Sequence, residues 1–219
     1  MKIGIVGQGF VGSAVFEGFK KHFNVETFDL NKKSTCSNLQ ELIHKSDYIF
    51  VCLPTPMEPT GKCHIGILES VIKEINGVSK GKILIVKSTI PPGTTENWNK
   101  KYKNVKIVFN PEFLTEANAL DDYKNQNRII LGGPRRANSK VKLLFAKAFP
   151  RVPIIHTSST YAEMVKYVTN CFLATKVSFA NEIFQICEGL DIDYDKVIEY
   201  AKHDERLGYS HWNVPGPDG

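Results

Sequence analysis

Three features of the sequence predict an α/β fold, with a mostly parallel sheet, helices on both faces and a long helix after it. Short β-branched apolar runs alternate with amphipathic segments from residue 1 to about 156. A glycine-rich loop joins the first run to the first amphipathic segment. From Thr160 to Leu190 a single helical pattern then runs without proline and with no glycine before Gly189.

The strands are expected at Ile3–Val6, Val25–Phe28, Tyr48–Leu53, Ile83–Val86, Val105–Phe109, Arg128–Leu131 and Pro153–His156. Each run is short and almost continuously apolar, as in strands buried on both faces. Helical periodicity marks Val11–His22, Leu39–His44, Ile67–Ile75, Thr94–Lys101 and Ser139–Ala148 between them. Alternation of this kind predicts parallel pairing. The stretch "TYAEMVKYVTNCFLATKVSFANEIFQICEGL" would form a rod of roughly 45 Å, long enough to bridge domains or form a subunit interface. A shorter helix is expected near Tyr194–His203. The reading divides the chain into an α/β domain at 1–156, a helical segment at 157–205 and a tail at 206–219.

The first strand enters "GQGFVG", with Gly7, Gly9 and Gly12 flanking Phe10 and Val11. A G-x-G-x-x-G string alone is weak evidence, but here it sits between a strand and a helix, the context a dinucleotide requires. Gly7 would make the tight turn, Gly9 would admit a pyrophosphate, and Gly12 would let helix and strand pack closely. The helix N-terminus offers free N–H groups to the phosphates. Asp29 closes the next strand, 17 residues after Gly12. A carboxylate there can accept ribose hydroxyls and repel a 2′-phosphate, so a Rossmann-like site for NAD rather than NADP is expected.

Further polar residues follow later strands, at the sheet edge where open α/β folds bind ligands. "VCLPTP" supplies Pro54 and Thr55, "KSTIPPGTT" supplies Ser88 and Thr89, and "NPEFLTEANAL" supplies Glu112 and Glu116. Lys166 and Asn170 lie four apart on the long helix and share a face. An ammonium and an amide aimed at one oxygen suit a developing alkoxide or oxyanion. Glu112 or Glu116 could serve as a base or order a water. The same spacings also suit a solvated helix face and acids in a first helical turn. Cys171 is expected to face the core.

Composition excludes several classes. The net charge of +5 is spread along the chain without a Lys/Arg block, so nucleic acid is not an expected partner. Five cysteines with no C-x-x-C pair suggest neither zinc nor a disulfide framework, and reduced thiols in a cytoplasmic protein fit them. No metal site is expected. The start "MKIGIVGQGF" does not read as a secretion signal, and no run approaches the ~20 apolar residues of a membrane span.

Taken together and in order, "GIVGQGFVG", "VCLPTP", "KSTIPPGT", "NPEFLTEANAL", "AEMVKYVTNCFLATKVSFANEI" and "VPGPDG" resemble the nucleotide-sugar 6-dehydrogenases. The resemblance covers nearly the whole chain and is strongest to the UDP-glucose branch of the UDP-glucose/GDP-mannose dehydrogenase family. It implies an NAD-dependent, two-step oxidation of UDP-glucose to UDP-glucuronate, in nucleotide-sugar metabolism and polysaccharide biosynthesis. The aldehyde stage would be held on a catalytic cysteine, and a homodimer would form through the central helix. By position, Val11, Asp29, Thr55, Thr89 and Glu116 would contact NAD, and Thr89 would help place the hydrolytic water. Glu112, Phe113 and Leu114 would meet the sugar, with Glu112 the candidate base for hydrolysis. Lys166 and Asn170 would bind the charged oxygen.

The sequence departs from the family pattern at several positions. His64 stands where an Asp is common, Thr115 where Arg or Ala is common, and no Pro precedes Arg128. Lys33 is offset by one from a lysine that faces the adenosine. Nothing matches the family's "CFPKD" segment, which would follow "VPGPDG". The chain is therefore expected to be the N-terminal part of such an enzyme, lacking the catalytic cysteine and the C-terminal UDP-binding domain. Three alternatives stand beside this. One is a naturally short NAD- or partner-binding module. Another is a dehydrogenase for GDP-mannose or UDP-N-acetylmannosamine. The third is a single-hydride NAD oxidoreductase using Lys166 as acid/base.

Overall fold

The computed structural model describes residues 1–216; Pro217, Asp218 and Gly219, the end of the expected tail, lie outside it. The chain divides into two compact units, Met1–Lys166 and the residues from Tyr167 onward.

The first unit carries a seven-stranded sheet: β1 (Lys2–Val6), β2 (Asn24–Phe28), β3 (Tyr48–Val51), β4 (Ile83–Val86), β5 (Lys106–Phe109), β6 (Ile129–Gly132) and β7 (Ile154–Thr157). Their spatial order is β2-β1-β3-β4-β5-β6-β7. All neighbours pair in parallel except β5 and β6, which meet antiparallel at Phe109 and Gly132. The chain leaves β1 for β2 on one side and then crosses to β3 on the other. That reversal opens a crevice at the carboxyl ends of β1 and β3, the place where such sheets bind ligands.

Strands β4 and β6 are buried along their whole length, as continuous apolar runs require. Not every strand is buried on both faces as expected. β2 alternates and β7 is largely exposed, because these two form the sheet's edges. Helices cover both faces. Leu39 and Leu42 of α2 (Leu39–Lys45), Leu68 and Ile72 of α3 (Gly66–Val78) and Trp98 of α4 (Thr94–Lys101) pack on one side. Ala14, Val15 and Phe19 of α1 (Phe10–Phe19) pack on the other. They meet Tyr123 of α5 (Ala119–Lys124) and Val141, Leu144 and Phe145 of α6 (Arg135–Ala148). The Phe19 and Phe145 rings meet edge-on at 5.2 Å, a favoured aromatic geometry.

Helix ends shift by up to three residues at α1 and α3, and two helices differ more from the sequence expectation. α5 has six residues, too few for a periodic signal, and three of them are charged. α6 begins at Arg135 rather than Ser139, directly after Pro134, whose fixed φ suits a helix start.

The long helix α7 spans Ser159–Gly189, and α8 spans Tyr194–Ala201. In the second unit Ala180, Cys187, Tyr194, Ile198 and Trp212 form a small core. The Tyr194 hydroxyl donates to the Trp212 carbonyl at 2.6 Å, and Lys176 donates to the carbonyls of Leu207 and Ser210. Cys171 is exposed rather than core-facing, because the hydrophobic contacts of this short unit gather on the Ala180–Cys187 side of α7. Among the described residues no helix is long and apolar enough to cross a membrane.

Candidate functional site

The glycine loop is built by close backbone approach. Gly7 follows β1 with φ +91°, and a Cβ there would lie 2.2 Å from the Cys52 carbonyl oxygen. A Cβ at Gly12 would lie 1.9 Å from the Gly7 carbonyl oxygen, whereas one at Gly9 would meet nothing within 4 Å. Gly7 and Gly12 therefore permit the turn, and Gly9 leaves open space above it. Gly9 caps α1 without a side-chain hydrogen bond, and the first turn carries no acid. The orphan N–H groups of that turn are thus available to an anion. These features fit a dinucleotide pyrophosphate.

Asp29 lies immediately after β2 and is bound to this loop. Its Oδ2 accepts the Gln8 N–H at 2.6 Å, and its Oδ1 accepts those of Asn31 and Lys32 at 2.8 and 3.1 Å. Burial would raise its pKa, but these amides and the Lys32 ammonium outweigh it and hold the carboxyl below its ordinary value. A carboxylate has about four lone-pair positions. Three are engaged here, which leaves one open to a further donor. Phe10 and Lys33 are exposed, and Val11 is half-buried.

The loops after β3 and β4 are stitched together. The Leu53 N–H donates to Ser88 Oγ at 3.0 Å, and Ser88 Oγ donates to the Leu53 carbonyl at 2.6 Å. Thr55 Oγ1 donates to the Thr89 carbonyl at 2.8 Å. Thr55 and Thr89 are half-buried beside each other, and Pro54 is exposed.

The loop after β5 carries the only ion pair in the sheet-edge loops in which both partners are largely buried, among the described residues. Lys166 Nζ, from the start of α7, donates to Glu112 Oε1 at 2.8 Å and to the Glu112 carbonyl at 2.6 Å. Glu112 Oε2 accepts the Leu114 N–H at 2.8 Å. The Phe113 ring lies 4.2 Å from the Arg128 guanidinium carbon and 5.7 Å from Lys166 Nζ. Arg128 precedes β6. Because β6 runs antiparallel to β5, its amino end rather than its carboxyl end reaches this edge.

A cleft of about 290 Å³ opens beside the loop, lined in part by Lys87, Glu112, Phe113, Leu114, Tyr123 and Arg128. Lys87 is buried and donates to Asn110 Oδ1 at 2.8 Å. Burial lowers its pKa to about 8, while Cys52 and Glu112 partly oppose the shift. Burial pushes the Cys52 thiol up to about 12, which makes it a poor nucleophile.

The structure brings Thr55 and Thr89 together, joins Lys166 to Glu112, and joins Asp29 to the glycine loop. Glu116 is exposed in a loop, since α5 starts only at Ala119, so Glu112 and Glu116 do not share a helical turn. Asn170 is exposed on α7 in the second unit. Sequence reasoning passed over Glu163, Lys87 and Asn110, which are all buried polar residues. The one available signal was Glu163, three residues before Lys166 and hence on its face of the helix. Among the described residues no cluster of three or more His, Cys, Asp or Glu could hold a metal ion.

Comparison with known proteins agrees with this architecture. Residues 32–148 match the NAD binding domain of the UDP-glucose/GDP-mannose dehydrogenase family, and residues 160–218 match that family's central domain. The chain is 34% identical over 193 residues to UDP-glucose 6-dehydrogenase TuaD of Bacillus subtilis strain 168, covering 84% of this chain and 42% of that protein. A UDP-glucose dehydrogenase structure from Pyrobaculum islandicum superposes with a TM-score of 0.87 at 26% identity, covering 96% of this chain and 58% of that one. A ternary complex of GDP-mannose dehydrogenase from Pseudomonas aeruginosa gives 0.83 at 25% identity, covering 98% and 59%. The chain thus spans less than two thirds of the length of each of these relatives. It belongs to the UDP-glucose/GDP-mannose dehydrogenase family and carries that family's NAD-binding domain.

Proposed function

We propose that this chain is the cofactor-binding and acid–base part of a cytoplasmic UDP-glucose 6-dehydrogenase. The observation that carries the reading is the buried Lys166–Glu112 pair, set at the carboxyl edge of the sheet beside the joined Thr55 and Thr89 loops. NAD, when bound, would accept the hydride. The first-turn amides of α1 would hold its pyrophosphate, and Asp29 would hold a ribose hydroxyl. Thr55 and Thr89 would line the path toward the nicotinamide, and Thr89 would help place water. Lys166 spends two donors on Glu112 and has a third for a substrate oxygen that gains charge. Glu112 would take a proton from water, with Lys166 holding its carboxylate in place. Phe113 and Leu114 would meet the sugar. The roles of Glu116, Lys33 and Asn170 rest on family resemblance.

The test is NADH formation by the protein at the length its reading frame specifies, with NAD and each of three sugars. UDP-glucose should support turnover with two hydrides transferred per sugar. Turnover only with GDP-mannose or UDP-N-acetylmannosamine would overturn the substrate, and a single hydride per sugar would overturn the two-step reaction.

A second copy of the chain is the proposed partner. Val168, Phe172, Phe179 and Ile186 are exposed on α7 at spacings of four and seven residues, which places them in one stripe. Phe172→Glu combined with Phe179→Glu is expected to convert a dimer to a monomer in sedimentation velocity. A monomeric parent protein would contradict the assignment.

A further inference from the structure

Glu163 is a fully buried carboxylate in no ion pair among the described residues, yet both its oxygens are used. Oε2 accepts the Gly93 N–H at 2.6 Å and Oε1 accepts the Thr95 N–H at 2.8 Å. These amides open α4. Gly93 caps that helix in the left-handed region, at φ +90°, and provides no side chain to cap it. The cap is therefore supplied from α7, 70 residues away in sequence. Burial raises the Glu163 pKa, and the Thr95 and Gly93 hydrogen bonds partly oppose this. A side chain at Gly93 would be strained by its positive φ, so the loop cannot readily cap its own helix and depends on Glu163 for it.

The segment that Glu163 holds is the end of the β4–α4 loop, which carries Ser88 and Thr89 near its start. One helical turn further along α7, Lys166 holds the β5–α5 loop through the Glu112 carbonyl and carboxylate. Residues three apart on a helix project to the same side and move together. The first turns of α7 thus grip two loops with two buried charges of opposite sign. Thr55 rests on the Thr89 carbonyl, so a third loop is tied to the same grip.

We infer that Glu163 is a positioning residue that sets the Thr89 loop and couples its placement, through one rigid turn of α7, to the Glu112 loop. The inference rests on the proposed reading that the Thr55 and Thr89 loops hold the cofactor. It adds that the cofactor loop and the acid–base loop are set by a single element and respond as one.

Glu163→Gln tests this. The amide presents one acceptor and one donor to two N–H groups, so one contact is lost and replaced by donor facing donor. NAD affinity, measured by calorimetry, should fall about tenfold, the scale of one lost hydrogen bond. The Leu114 amide resonance, remote from Glu163 but bonded to Glu112, should shift along with those of Gly93 and Thr95. A variant in which only Gly93 and Thr95 shift while NAD affinity and Leu114 stay unchanged would reduce Glu163 to a structural cap and overturn the inference. Thr55→Val separates this from the underlying reading. If it leaves NAD affinity unchanged and NAD leaves the Thr89 region unperturbed in the parent, the cofactor assignment itself has failed. Should Glu163→Gln not fold, hydrogen exchange on the parent decides. NAD should slow exchange at Gly93, Thr95 and Leu114 together, and slowing at the first two alone would contradict the coupling.

Discussion

Replacing Asp29 with alanine is expected to weaken NAD binding about a hundredfold, or about 2–3 kcal/mol. Two losses combine. The ribose loses its acceptor, and the Gln8, Asn31 and Lys32 amides lose the carboxylate that fixes the glycine loop against the end of β2. Asp29→Asn, which keeps an oxygen but not the charge, should lose less. The preference for NAD over NADP should narrow in both, because the repulsion of a 2′-phosphate is gone. An unchanged calorimetric affinity for Asp29→Ala would contradict this geometry.

The second large effect is expected at Lys166. Its side chain is 5% exposed and that of Glu112 is 12% exposed. Lys166→Met would leave the Glu112 carboxylate with only the Leu114 amide. Removing one partner of a buried pair costs roughly 3–5 kcal/mol, chiefly through the uncompensated charge left behind. For a chain of this size that corresponds to a Tm lower by about 10 °C. Adding Glu112→Gln to Lys166→Met should recover part of the loss, since the stranded charge is then absent. Independent, additive losses in thermal denaturation would show that the two groups do not act as a pair.

The parallel core was legible because its code is local. β4 reads as an unbroken apolar run, and the glycine loop declares itself by position between strand and helix. Asp29 was legible for the same reason: it ends the strand beside that loop. The site's internal wiring was not. The shared face of Lys166 and Asn170 was legible, because four-residue spacing is visible in sequence. The bond from Lys166 to Glu112 was not, because it joins residues 54 positions apart that the sheet brings together. Arg128 could be placed on Phe113 only once β6 was known to run antiparallel, and the short charged α5 that reverses the chain left no periodic trace. Glu163 was overlooked because a carboxylate on a helix normally faces water, and only the fold reveals that the α4 amides await it.

NAD is expected in the crevice between β1 and β3, with Asp29 and the α1 amides as its anchors. A crystal structure of the protein grown with NAD tests it most directly. The pyrophosphate should lie over Gly9 at the start of α1 and a ribose hydroxyl on the Asp29 carboxylate, with the nicotinamide directed toward Thr55 and Thr89. A dinucleotide bound elsewhere, or with its ribose turned away from Asp29, would contradict it.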